Sequence, residues 1–78
     1  MMLYFFDITD EDGTTVDSHG TVLRDFEHAR REAARTITEI AAAQSRRSDA
    51  FELSMRVRDE AREVYRIRLN VEGNRIAA

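Results

Sequence analysis

The sharpest pattern in the chain lies in its last third. Phe51, Leu53, Met55 and Val57 alternate with Glu52, Ser54, Arg56 and Arg58, and Tyr65, Ile67, Leu69 and Val71 alternate with Val64, Arg66, Arg68 and Asn70. A period of two sends successive side chains to opposite faces, so the pattern predicts two strands, about 51–58 and 64–71, each with one apolar face. Their register follows, because a slip of one residue would turn every side chain over. A two-residue loop would set Met55 opposite Arg66 and fails. A three-residue loop, Glu60-Ala61-Arg62, pairs Val57 with Tyr65, Met55 with Ile67, Leu53 with Leu69 and Phe51 with Val71. Loops of that kind favour Gly in the left-handed region at their third place. Arg62 stands there, implying strain on the order of 1 kcal/mol that a five-residue loop in the same register would avoid.

In the middle of the chain the period changes. Phe26, Ala29, Ala33, Ile37, Ile40 and Ala41 fall at three-and-four spacing, which predicts a helix over about 26–44, some 30 Å long. Asp25 is placed to cap its free amides, and Glu27 suits the positive end of its dipole. Arg30, Arg31, Glu32, Arg35 and Glu39 take the outer faces, with Arg31–Arg35 a like pair and Arg35–Glu39 an opposite one.

Leu3-Tyr4-Phe5-Phe6-Asp7-Ile8 reads as a strand over about 2–8. Tyr4, Phe6 and Ile8 point one way, Leu3 and Phe5 the other, so both faces are apolar and the second is expected to be covered at least in part. Thr9 to Gly13 is turn chemistry, 14–17 a short return strand, Ser18-His19-Gly20 a second turn and Thr21-Val22-Leu23 an extended lead into the helix. Residues 73–78 are expected to fray. The whole reads as one domain, 1–78, of the α+β class: β-β-α-β-β, an antiparallel sheet with one long amphipathic helix on one face.

Composition sharpens this picture in three ways. A chain of 78 residues buries only about 60–65% of its unfolded surface, so its stability calls for a supplement. There is no cysteine, which removes disulfides, thiolate zinc sites and cysteine nucleophiles and leaves oligomerisation as the open supplement. All twelve basic residues are Arg, and fifteen acids give a net charge of −3, which argues against a protein that coats DNA through a general basic surface. Met1 to Phe6 is too short for a signal peptide and no run suits a membrane span. A cytoplasmic location without membrane association is expected.

The predicted register puts Arg56 opposite Arg66 with Arg58 and Arg68 diagonal to them, on the face away from the helix. Directly opposed like charges destabilise a sheet, and Glu52, Glu63 and Glu72 relieve only the ends. If Tyr4 and Phe6 share that side, then Tyr4, Phe6, Arg56, Arg58, Arg66 and Arg68 form one candidate interaction face. Three readings of it stand side by side: a solvated face of splayed Arg side chains, a homodimer or other protein interface, and a platform for nucleic acid or another anionic ligand, with rings for bases and Arg for phosphate.

Other chemistry is hard to build. Asp10-Glu11-Asp12-Gly13 would need Asp and Glu where Ile8 and His19 stand to be a calcium loop. Asp17-Ser18-His19 holds the residue types of a serine triad, but neighbours in one turn do not reach each other in that order. His19 and His28, with Asp17 or Asp25, give a thin basis for a metal site. No catalytic residue, cofactor or metal site is assigned, and the chain is expected not to be an enzyme.

Tyr4-Phe5-Phe6-Asp7, the run Asp17-x-x-Gly20-x-x-Leu23-x-Asp25-x-x-x-Ala29-Arg30-x-Glu32-Ala33, and Val57-Arg58-Asp59-Glu60 resemble a short alphaproteobacterial family of unknown function. The likeness spans nearly the whole chain and implies the β-β-α-β-β layout without any active site. Members typically carry Gly near position 62, where this chain has Arg62. A fainter resemblance, at the level of pattern, is to HicB-like antitoxins, which implies a regulator. The expected function is a non-enzymatic interaction module that homodimerises, or binds another protein, through the open sheet face or a strand edge.

Overall fold

The alternating segments form the expected hairpin. In a computed structural model that describes residues 1–77, strands β4 (Ala50–Arg58) and β5 (Glu63–Glu72) pair antiparallel, with Phe51 opposite Val71, Leu53 opposite Leu69, Met55 opposite Ile67 and Val57 opposite Tyr65. The loop departs from the three-residue form. Glu63, not Val64, stands opposite Arg58, so Val64 is the extra residue of a bulge that absorbs the odd position. The turn is then Asp59–Arg62, closed by the Asp59 amide donating to the Arg62 carbonyl at 2.9 Å. The Asp59 carboxylate accepts from the amides of Ala61 and Arg62, both at 2.8 Å. Among the described residues none but Gly takes positive φ, so the strain expected at Arg62 is absent.

Strand β1 (Met2–Asp10) lies against the other side of β4, with Phe6 opposite Val57 and Ile8 opposite Met55. Its outer edge carries two three-residue strands, β2 (Gly13–Thr15) beside Ile8–Asp10 and β3 (Thr21–Leu23) beside Met2–Tyr4. The order is β2-β1-β4-β5, with β3 also on β1. β3 is the segment read as merely extended. β2 stops at Thr15, short of the expected 17, because the chain turns there to bring Asp17 back to β1.

Helix α1 (Phe26–Gln44) begins as its sequence dictates, with the Asp25 carboxylate accepting from the His28 amide at 2.9 Å. Ala29, Ala33, Ile37 and Ala41 are its buried face, which packs on β4, β5 and β3. Tyr4, Leu23, Phe51, Leu53, Met55 and Val57 complete the core. Phe26 stays 42% exposed and meets the Tyr65 ring edge to face, with 5.8 Å between centroids. No described helix is long and apolar enough to cross a membrane. Residues 73–77 carry no regular secondary structure, and Ala78, the end of the expected frayed tail, lies outside the described residues.

Candidate functional site

Pairing of β1 with β4 decides which side chains share the open face. Phe5 stands opposite Arg58, Asp7 opposite Arg56 and Thr9 opposite Ser54. β5 then continues the row, with Arg66 opposite Arg56 and Arg68 opposite Ser54. The four predicted arginines therefore do share one face. Tyr4 and Phe6 do not, which corrects the six-residue face. They lie in phase with Ile8, opposite the apolar residues of β4, and Tyr4 is only 2% exposed beneath the helix. The aromatic ring on the arginine side is Phe5, half-buried, with the Arg58 guanidinium 4.7 Å from its centre.

The open face is organised by a residue that the pattern did not single out. Asp7 is 2% exposed, and its carboxylate is held from three directions. Arg58 donates from Nε to Oδ2 at 2.6 Å and from Nη2 to Oδ1 at 3.1 Å. Arg56 donates from Nε to Oδ2 at 3.0 Å. The Asp17 amide donates to Oδ1 at 2.9 Å. The hydrogen bond from Arg58 is the main reason its pKa drops to about 2, well beyond what burial does in the opposite direction. Such a carboxylate is no proton carrier near neutrality; it is a clamp.

Asp17 is the second half of that clamp. Its Oδ1 accepts from the amides of His19 and Gly20, both at 3.0 Å, and its Oδ2 accepts from the Phe6 amide at 3.1 Å. Phe6 lies in the gap along β1 that neither β2 nor β3 covers, so a side-chain carboxylate supplies the acceptor a neighbouring strand would have given. The amide of Gly20 leads the causes that lower the Asp17 pKa. Arg58 Nη2 also donates to the Asp17 carbonyl at 3.0 Å. Gly20 itself has φ +76°, and a Cβ there would fall 2.8 Å from Leu3 Cδ1 and 3.0 Å from Phe5 Cε1. The returning loop and the Arg58 side chain thus provide the partial cover expected over Leu3 and Phe5.

The remaining charges divide unequally. Arg66 forks onto Glu63, with Nε at 2.9 Å and Nη2 at 2.8 Å, and this contact leads the causes that lower the Glu63 pKa. Among the described residues Arg68 and Glu72 make no ion pair. The opposed Arg56 and Arg66 are therefore each held by a carboxylate of their own. Between them lies a shallow hollow of about 130 Å³ lined by Thr9, Thr14 and Ser54 as well.

Other sequence candidates occupy ordinary structural places. Asp10 Oδ1 accepts from the Asp12 amide at 2.8 Å in a plain turn. His28 Nδ1 accepts from the Arg24 amide at 3.4 Å. Among the described residues no group of three or more His, Cys, Asp or Glu is placed to hold a metal ion.

A second feature stands at the end of the sheet. β5 is ten residues long and, among the described residues, has no strand on its outer side. The β4 residues facing the helix are all buried, whereas their β5 counterparts Tyr65, Ile67, Leu69 and Val71 are only half-buried. No curated protein and no solved structure matches this chain. A family model described as a domain of unknown function, DUF6894, matches residues 3–70, and the chain belongs to that family.

Proposed function

We propose that the domain is a non-enzymatic protein-interaction module that homodimerises by joining its β5 edge to β5 of a second copy. The observation that carries this reading is the unpaired outer side of β5 along Glu63–Glu72. A long free edge presents a row of amides and carbonyls ready to pair with another strand, and proteins that stay apart blunt such edges with proline, bulges or inward charge. The chain has no proline, and its bulge at Val64 sits at the turn end, leaving Tyr65 to Glu72 regular. Half-buried Ile67, Leu69 and Val71 gain cover when the sheet continues. The edge is favoured over the open face because Asp7 and Glu63 already hold three of the four arginines there. With Tyr4 and Phe6 on the helix side, the nucleic-acid reading loses the two rings it counted on, and the ring that does share the arginine face, Phe5, is half-buried against the Arg58 guanidinium.

Gel filtration with light scattering tests the reading. The native chain is expected at twice its 9.0 kDa mass in the tens of micromolar. Leu69→Lys is expected to give a monomer with an unchanged circular dichroism spectrum, since a lysine at a half-buried edge can reach water. A monomeric native chain at high micromolar concentration overturns the proposal.

A further inference from the structure

We infer that the two β5 strands meet antiparallel about a twofold axis at Leu69, with Arg66 of each copy opposite the partner's Glu72. The inference rests on the β5 pairing proposed above and fixes its register. Across an antiparallel ladder, opposed residues share a face. The helix side of one copy continues the helix side of the other only if odd positions meet odd and even meet even. The axis therefore passes through a residue, and Ile67, Arg68, Leu69 and Asn70 are the four in β5 that leave at least two residues of the regular stretch Tyr65–Glu72 on either side.

An axis at Ile67 sets Arg66 opposite the partner's Arg68 twice over. An axis at Arg68 sets that guanidinium against its own copy and draws the bulged Val64 into the ladder. An axis at Asn70 shortens the ladder to residues 68–72. An axis at Leu69 uses residues 66–72 of both copies, begins clear of the bulge and opposes no like charges. On the open face Arg66 meets the partner's Glu72 and Arg68 meets the partner's Asn70. On the helix side Leu69 meets its own counterpart, and Ile67 meets the partner's Val71. Opposed unlike charges and aliphatic pairs are what stabilise an antiparallel ladder. Glu72 and Arg68, which make no ion pair within the described residues of one chain, both gain polar partners.

The chain has no cysteine, so single cysteines can read the axis directly. Opposed residues lie about 4.5–5.5 Å apart between Cα atoms, within reach of a disulfide. Ile67→Cys, Arg68→Cys, Leu69→Cys and Asn70→Cys would each be oxidised mildly and run on non-reducing gels. Leu69→Cys is expected to give the covalent dimer fastest. Fastest closure at any other position overturns the register while leaving the β5 dimer standing. A native chain that is monomeric by light scattering, or a dimer that none of the four cysteines traps, overturns both. As a second reading, Glu72→Arg is expected to weaken the dimer about tenfold, and Arg66→Glu with Glu72→Arg to recover most of that loss. No recovery in the double variant counts against the opposed pair.

Discussion

The two edges of this sheet are finished in opposite ways. Along β1 the outer edge is divided among β2, the Asp17 carboxylate and β3, so that no long stretch of free backbone is left. Along β5 the outer edge is one strand of ten residues with no strand beside it among the described residues. The closed edge depends on charge. Asp17 plugs the gap at Phe6, Asp7 holds the Asp17 amide, and Arg56 and Arg58 hold Asp7. The open edge depends on its alternating pattern alone. One side is thus closed by its own loop and side chains, and the other is left regular and free of proline, which is the contrast on which the proposed β5 pairing rests.

Removing the anchor should break the closed edge first. Asp7→Ala leaves two guanidinium groups without their carboxylate and frees the Asp17 amide. The cost is about 3 kcal/mol, read as a lower midpoint in urea denaturation. Faster amide exchange at Phe6 should accompany it, and an unchanged midpoint would show that the clamp does not hold the edge.

Acid should reach the same group more gently. The Asp7 pKa falls from 3.8 to about 2 on folding, so its stabilisation is complete above pH 4 and drains away as pH falls towards 2. The contribution is roughly 2 kcal/mol. Denaturation midpoints followed from pH 5 to pH 2 should therefore drop more steeply in the native chain than in Asp7→Asn, which cannot titrate. Parallel curves would locate the acid sensitivity elsewhere.

The smallest effect belongs to the open edge. Arg68 is exposed and makes no ion pair among the described residues of one chain. Arg68→Ala should then shift stability by no more than about 0.5 kcal/mol when measured on a monomeric background such as Leu69→Lys. A larger loss there would mean the edge already has a partner within the chain.

Much of this was legible in the order of residues. The hairpin register from Phe51 to Val71, the helix from Phe26 with its Asp25 cap and the shared face of the four arginines all follow from periodicity. The phase of β1 was harder because both of its faces are apolar. The deciding mark was Asp7, a lone charge in line with Leu3 and Phe5, which identifies their side as the one away from the helix. Asp17 left no such mark. Its role comes from the return of the chain across eleven residues to one unpaired amide, and hydrophobic pattern carries no information about such contacts. The bulge at Val64 was hidden for a related reason, since an extra residue beside a turn alters the loop without disturbing the alternation beyond it.

The central pairing of β1 with β4 joins Thr9 to Ser54 and Phe5 to Arg58, across the whole helix and most of the chain. Bringing such distant segments together costs closure entropy that the local β4–β5 turn does not. During synthesis the first strand must wait for the helix and then β4 to emerge before its central partner exists. The closure cost of this fold is therefore concentrated in the seating of its first strand.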